Sequence, residues 1–345
     1  MTGWMIYGAN GYTGELIARE AKARGLHPLL AGRNEKAIIS LAKELGFNHR
    51  IFDLSEQKNI VNQLSDMQLV LNCAGPFSTT SQQIITACMQ SGTHYLDITG
   101  EIATFEYAHS QHGLAEKANI VLCPGVGFDV TPTDCLAAQL KQMLPDATYL
   151  ALGFDSNSAL SPGTAKTAVE GLAMGGKVRM NGEIKTVPLA WKTRLIDFGK
   201  GEKLSTTIPW GDVSTAFYTT GIPNIEVYIP INAKRLSLLK RANYIRWLLG
   251  WGFIQNFLKE KAAGQTRPNM EQFKSPGTYV WGEATNAQGE SKIVRITTAN
   301  GYALTVASSL EIAEYVLNHK PQGGYKTPSQ LMGVDFIKRL PGYSE

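Results

Sequence analysis

A chain of 345 residues is long enough to bury two cores, and a composition of 43% hydrophobic and 18% charged residues, with no low-complexity tract, is that of a globular protein. The formal charge of +4 is too small and too dispersed to argue for nucleic acid. The four cysteines, Cys73, Cys88, Cys123 and Cys135, lack paired close spacing, which argues for buried thiols and against a disulfide framework or zinc.

The first strand is expected by Trp4, which leaves no room for a signal or transit peptide and makes the cytoplasm the expected location. Its apolar run, Trp4-Met5-Ile6-Tyr7, empties into Gly8-Ala9-Asn10-Gly11-Tyr12-Thr13-Gly14 and a helix pattern bearing Leu16, Ile17, Ala18 and Ala21. A strand that stops in a tight turn and restarts as a helix presents unpaired backbone N–H groups at the positive end of the helix dipole, which suits a pyrophosphate. Gly8 permits the turn, Gly11 lets the backbone approach the phosphates, and Gly14 lets the helix pack closely on its strand. The spacing G-x-x-G-x-x-G is one residue longer than the usual dinucleotide fingerprint, so the reading rests on context: a second strand follows over residues 27–31.

That second strand ends in Gly32-Arg33, where an NAD-binding domain places Asp or Glu on the ribose hydroxyls. A guanidinium beside a residue with no side chain suits an added phosphate, so NADP(H) is favoured over NAD. Asn10, Tyr12 and Thr13 complete the candidate nucleotide contacts of the first turn. A helix over 35–45 leads to a third strand at 49–52, after which Asp53 either reaches the adenine or caps the helix that starts at Gln57.

The fourth strand, 67–73, ends in the small-residue turn Asn72-Cys73-Ala74-Gly75-Pro76-Phe77, and ligands sit at such carboxyl ends in open parallel sheets. A helix over 81–91 and a strand over 95–98 follow, then Thr99-Gly100-Glu101. This alternation predicts an α/β fold built on a right-handed, doubly wound parallel sheet. His109 and His112 lie one helical turn apart without a carboxylate partner in the pattern, so exposed histidines are expected there and no metal site. A sixth strand, 119–123, opens into Pro124 to Asp134, which holds two hydroxyls and two carboxylates before a helix that begins near Pro132. Thr131 either caps that helix or contacts substrate, and Asp134 suits its dipole. Asp129 has no such local duty, which makes it the candidate for orienting substrate or relaying a proton.

From Ala147 the pattern changes to a second, α+β domain of mainly antiparallel sheet, with a hairpin at Asn181-Gly182 between strands at 177–180 and 183–187. Further strands are expected at 148–154, 191–196, 213–220, 225–230, 277–284 and 292–297. Thr164 and Lys166, in the small-residue stretch 161–167, are candidate substrate contacts, with capping and solvation as the alternative. The segment 234–261 interleaves Leu, Ile, Trp and Phe with Lys240, Arg241 and Arg246 and is too interrupted for the roughly 20 apolar residues that span a bilayer. It suits a membrane interface, a lipid-lined pocket, the protein's own core or a dimer partner. Helices over 303–317 and up to about 340 are expected to return to the first domain, giving boundaries at 1–130, 131–300 and 301–345.

Taken together, the turns at 8–14, 31–33, 72–77, 94–101 and 124–134 and Gly163-Thr164-Ala165 resemble those of the saccharopine dehydrogenase-like oxidoreductases, a group that includes saccharopine reductases and the trans-acting enoyl reductases of lipid biosynthesis. The resemblance runs nearly the whole chain. It implies a Rossmann domain, a second domain carrying the substrate side and often the dimer contact, and a nicotinamide cofactor bordered by the loops Asn72–Phe77 and Thr99–Glu101. It leaves three expectations open. One is an NADPH-dependent reductase of an apolar or lipid-linked substrate, and another an imine or keto reductase of an amino-acid-like one. The third is a protein that binds NADP without turnover, peripheral to a membrane or partnered with another enzyme. A saccharopine-like substrate would want clustered cations, for which Lys166, Arg179, Lys192 and Arg194 are available.

Overall fold

The apolar runs read from the sequence become the strands of a parallel sheet: β1 (Trp4–Tyr7), β2 (Leu29–Gly32), β3 (His49–Ile51), β4 (Leu69–Asn72), β5 (His94–Asp97) and β6 (Val121–Cys123). The computed structural model describes residues 3–156, 169, 171–249, 251–254 and 277–345; Thr164 and Lys166 lie outside them. The sheet runs β6-β5-β4-β1-β2-β3, with the short strand Gly324–Tyr325 added beside β6, and every pairing is parallel. Every residue of β1 and β4 is buried, as a sheet covered by helices on both faces requires. The order reverses between β1 and β4, and their registers pair Tyr7 with Asn72 and Asn72 with Asp97. The turns that leave β1, β4 and β5 therefore emerge side by side on the carboxyl edge, where ligands of doubly wound sheets are held.

The chain divides into two compact units. One comprises residues up to Thr131 together with Tyr302–Gly333, and the other Pro132–Gly301 together with Val334–Glu345. Helices Gly301–His319 and Pro328–Met332 thus belong with the parallel sheet, whereas the last residues join the second unit, where Ser344 pairs with Thr297 in an antiparallel bridge. The expected return of the whole of 301–345 is corrected at that point.

The second unit is built on a mixed sheet of β7 (Tyr149–Asp155), β8 (Gly176–Met180), β9 (Glu183–Val187), β10 (Thr193–Asp197), β11 (Glu202–Thr207), β12 (Asn224–Pro230), β13 (Thr278–Thr285) and β14 (Ser291–Thr298). Its order is β10-β11-β12-β7-β13-β14, antiparallel except between β12 and β7, and β8 bridges β12 to β9. The β8–β9 hairpin turns at Asn181 and Gly182, with φ of 51° and 83°, the left-handed pair that an Asn-Gly turn selects.

One expected strand is a helix. Residues 213–220 are rich in β-branched and aromatic side chains, yet Asp212–Thr220 is helical and buries Val213, Ala216 and Thr220, spaced by three and four as a helix face demands. Packing overrides propensity here, and Gly221 closes the helix at φ 70° while its N–H donates to Phe217 O at 2.8 Å. β11, in contrast, is absent from the expected strands, because its buried residues are Ser205, Thr206 and Thr207 and so present no apolar run. A Cβ at Gly221 would meet no atom, so Gly221→Ala should cost only the left-handed strain, about 1 kcal/mol in urea denaturation, and Gly221→Asn measurably less.

Candidate functional site

The first turn of the parallel sheet is shaped by backbone packing. Gly8 has φ 80°, and a Cβ there would lie 2.8 Å from Ala74 N, so the β1 and β4 turns meet backbone to backbone. A Cβ at Gly14 would stand 2.5 Å from Gly8 O, which explains why the helix Tyr12–Ala23 can start so close to its strand. The first intrahelical bond runs from Glu15 N–H to Gly11 O at 2.8 Å, and no side chain caps the helix. The amides of Tyr12, Thr13 and Gly14 therefore precede the helical ladder, with Tyr12 and Thr13 partly exposed and Gly14 buried, and a helix start of this kind suits a phosphate. Tyr12 stacks edge-on against Tyr302 at 5.0 Å, and burial raises its phenol above the ordinary value.

At the end of β2, a Cβ on Gly32 would meet Asn10 Oδ1 at 3.1 Å, which brings the two expected turns into contact. Arg33 is exposed and has no ion pair among the described residues, while Asn34 caps the helix Glu35–Leu45 through Ala37 N–H at 3.2 Å. Asp53 does not cap the next helix. Its Oδ1 accepts from Ser55 N at 3.0 Å and Ser55 Oγ at 2.5 Å, which hold the carboxyl below its usual range, and Glu56 occupies the cap position of Gln57–Leu64.

The β4, β5 and β6 turns are joined by a chain of buried polar groups that the sequence did not announce. Asn72 Oδ1 accepts from Ala74 N at 3.0 Å, and Asn72 Nδ2 donates to Thr80 Oγ1 at 3.2 Å and Tyr95 OH at 3.3 Å. Tyr95 OH donates to Asp97 Oδ2 at 2.6 Å, and Asp97 Oδ1 accepts from Thr99 N and Gly125 N, each at 2.9 Å. Asp97 is fully buried; desolvation lifts its carboxyl to about 6, with those three donors opposing the rise. Glu101, expected beside the cofactor, has a structural duty: its two oxygens accept from Phe77 N at 2.9 Å and Ser78 N at 2.8 Å and so cap the helix Phe77–Ser91. Thr99 Oγ1 accepts from Glu101 N at 3.0 Å. Cys73 has its thiol pushed far up by burial, while Gly75 and Pro76 stand exposed, joined by a cis peptide bond.

The loop after β6 reaches the same edge. Asp129 lies against Gly100, where a Cβ would come within 2.9 Å of Asp129 Oδ2, and the half-buried carboxyl is raised by desolvation to about 7. Helix Gly301–His319 anchors this loop: Phe128 N donates to Thr305 Oγ1 at 2.9 Å, and Ser308 Oγ donates to Val126 O at 2.6 Å. Thr131 is fully buried, with its hydroxyl 3.1 Å from that of Ser308, and so presents no surface to a ligand. Asp134, expected only to suit a helix dipole, is fully buried and accepts from the hydroxyl of Thr219. His109 and His112 are half-buried rather than exposed: their rings stack at 6.3 Å, and His112 Nδ1 accepts from Tyr325 N at 3.0 Å. Among the described residues no group of His, Cys, Asp and Glu is arranged to hold a metal, and no helix is long and apolar enough to cross a membrane.

Residues 4–123 match the family described as the saccharopine dehydrogenase NADP binding domain. Among named proteins, the chain is 30% identical over 202 residues to a probable mitochondrial saccharopine dehydrogenase-like oxidoreductase of Arabidopsis thaliana, a match covering 51% of this chain and 44% of that one. It is 24% identical over 216 residues to the saccharopine dehydrogenase-like oxidoreductase of Mus musculus, covering 54% and 50%. It is also 30% identical over 158 residues to the trans-acting enoyl reductase of Mycobacterium leprae, covering 42% and 37%. The matched stretch thus spans half or less of the length of these relatives. In fold, the chain superposes on the apo saccharopine dehydrogenase (L-Glu forming) of Saccharomyces cerevisiae with a TM-score of 0.65 at 11% identity, covering 98% of this chain and 96% of that one.

Asp97 ties stability to pH. Its folded value of about 6 exceeds the ordinary 3.8, so the folded state binds the proton more tightly, and the associated stability is present in acid and lost as pH rises through about 6. Asp97→Asn keeps an oxygen for Thr99 and Gly125 and an amide for Tyr95. As pH rises from about 4 to about 7, wild type should lose roughly 2–3 kcal/mol of stability relative to Asp97→Asn, measured by denaturant titration at each pH.

Proposed function

We infer that this chain, whose residues 4–123 carry the saccharopine dehydrogenase NADP binding domain, is an NADPH-dependent reductase of a C=C or C=O bond in an apolar or lipid-linked substrate. The observation that carries the reading is the convergence, on one sheet edge, of the uncapped helix start at Tyr12–Gly14, the exposed Arg33 and the half-buried Asp129. The fit to a dinucleotide is good on physical grounds. The amides of Tyr12, Thr13 and Gly14 would take the pyrophosphate, and the absence of a side chain at Gly8 lets the β1 and β4 turns close together beneath it. Arg33 would take the 2′-phosphate with two parallel N–H donors. The Cys73–Phe77 and Thr99–Glu101 turns would border the nicotinamide, held in place by Asn72, Asp97 and Glu101.

When bound, NADPH supplies hydride to one atom of the reduced bond, and the other atom needs a proton. Asp129 is suited to give it: a carboxyl near 7 holds its proton over a large share of molecules at neutral pH and still releases it readily. Gly100 leaves the space that the carboxyl occupies.

The preference for an apolar substrate over an amino-acid-like one is supported by how the second unit spends its cations. Arg179 donates to Val213 O at 2.8 Å and Gly182 O at 2.7 Å, Lys192 pairs with the buried Glu226 at 2.6 Å, and Arg194 pairs with Glu283 at 2.6 Å. Cations engaged in this way offer little to a substrate with several carboxylates. Likeness to a trans-acting enoyl reductase over 42% of the chain points in the same direction.

Calorimetric titration should find NADPH bound in preference to NADH, with Arg33→Ala weakening NADPH roughly 10- to 100-fold and leaving NADH unchanged. Failure of wild type to bind either nucleotide would sink the reading. With enoyl and keto lipids as substrates, Asp129→Asn should lower kcat by about 10²- to 10⁴-fold while keeping NADPH affinity. Wild-type kcat should fall as pH rises through about 7, because the acid form is the donor, and the variant should lose that dependence.

A further inference from the structure

Within the second unit, the helix Ala233–Ala242 buries none of its residues, and the aromatic chains that follow it stand out from the surface. Leu238 is 67% exposed, Tyr244 85%, Trp247 66% and Phe253 67%. Trp247 packs on Trp251 at 5.7 Å and Trp251 on Phe253 at 5.8 Å, so these rings form a continuous ridge. The inner side of the segment is fixed. Asn243 Oδ1 accepts from Leu189 N at 2.8 Å, its Nδ2 donates to Leu189 O at 3.1 Å, and the Arg246 guanidinium lies in the space beside Gly175. With Asn243 and Arg246 turned inward, the neighbouring Tyr244 and Trp247 face outward.

Charge supplies the second half of the pattern. Between Asn232 and Ile254 the sequence holds Lys234, Arg235, Lys240, Arg241 and Arg246 and no Asp or Glu. Leu236, Ser237, Lys240, Arg241 and Tyr244 line an open hollow of about 440 Å³, so apolar and cationic side chains share its wall. We propose that this face docks on the surface of an anionic phospholipid bilayer, with the Trp247–Trp251–Phe253 ridge in the interfacial layer and Lys240 and Arg241 on lipid phosphates. Indole and phenol rings favour that layer because one end is apolar and the other polar, and each cation near a negative leaflet adds attraction. A second copy of this chain fits the face less well, since a two-fold contact would set one acid-free cationic segment against another.

The test is co-sedimentation of the full chain with vesicles of phosphatidylcholine alone and of equimolar phosphatidylcholine and phosphatidylserine, at low and high salt. Wild type should bind the phosphatidylserine vesicles, weakly bind the neutral ones, and lose affinity as salt screens the cations. Lys240→Ala/Arg241→Ala should weaken binding to the anionic vesicles roughly tenfold or more, and Trp247→Ala/Trp251→Ala should do so for both compositions. Because these side chains are exposed, unfolding midpoints should match wild type, which separates lost docking from lost folding. Equal binding to both compositions, wild-type affinity in either double variant, or no vesicle binding at all would overturn the proposal. So would a dimer that the Trp247→Ala/Trp251→Ala pair dissociates while vesicles are ignored.

Discussion

A carboxylate with no access to water holds together the edge of the first unit on which the candidate site is built. Asp97 ends β5, accepts from Tyr95, Thr99 and Gly125, and through Tyr95 reaches Asn72 at the end of β4. Each of these donors would be costly to leave unpaired in the interior, so the turns after β4, β5 and β6 have little freedom to separate. Glu101 extends the same logic by joining the β5 turn to the start of the helix Phe77–Ser91. The backbone of the site is thus positioned by side chains of which Asn72, Tyr95 and Asp97 are fully buried and offer a ligand no surface.

Two carboxyls on this edge are raised, and their surroundings assign them different work. Asp97 is enclosed by three donors and has no proton to trade with a substrate. Asp129 is half-buried beside Gly100, and its raised value rests on desolvation alone. One is a fixed point of the framework, and the other stands at the partly exposed edge beside Gly100. Tertiary placement, which the residue type does not reveal, makes the distinction.

Much of this was legible in the chain. The parallel sheet follows from apolar runs alternating with helix patterns, and the first turn from Gly8, Gly11 and Gly14 in that setting. The Asn181-Gly182 hairpin was readable because left-handed turns select those residues. What escaped depended on partners distant in sequence. Tyr95 and Asp97 alternate with apolar neighbours and look like ordinary strand residues until Gly125 closes on them. Of the two duties open to Asp53, adenine contact or helix cap, the cap is removed because Ser55 lies nearer and takes its carboxylate. The 212–220 helix was hidden because local propensity pointed to a strand, while the burial of Val213, Ala216 and Thr220 decided for a helix.

The central claim is that the carboxyl edge of the parallel sheet is where NADP is held. Hydrogen exchange of the full chain with and without saturating NADP⁺ addresses it at the backbone amides themselves. The account predicts slowed exchange in peptides covering Gly8–Gly14, Gly32–Asn34, Asn72–Phe77 and Thr99–Glu101, with β7 to β14 unchanged. Slowed exchange confined to the second unit, with the Gly8–Gly14 amides unaffected while NADP⁺ is bound, would contradict it.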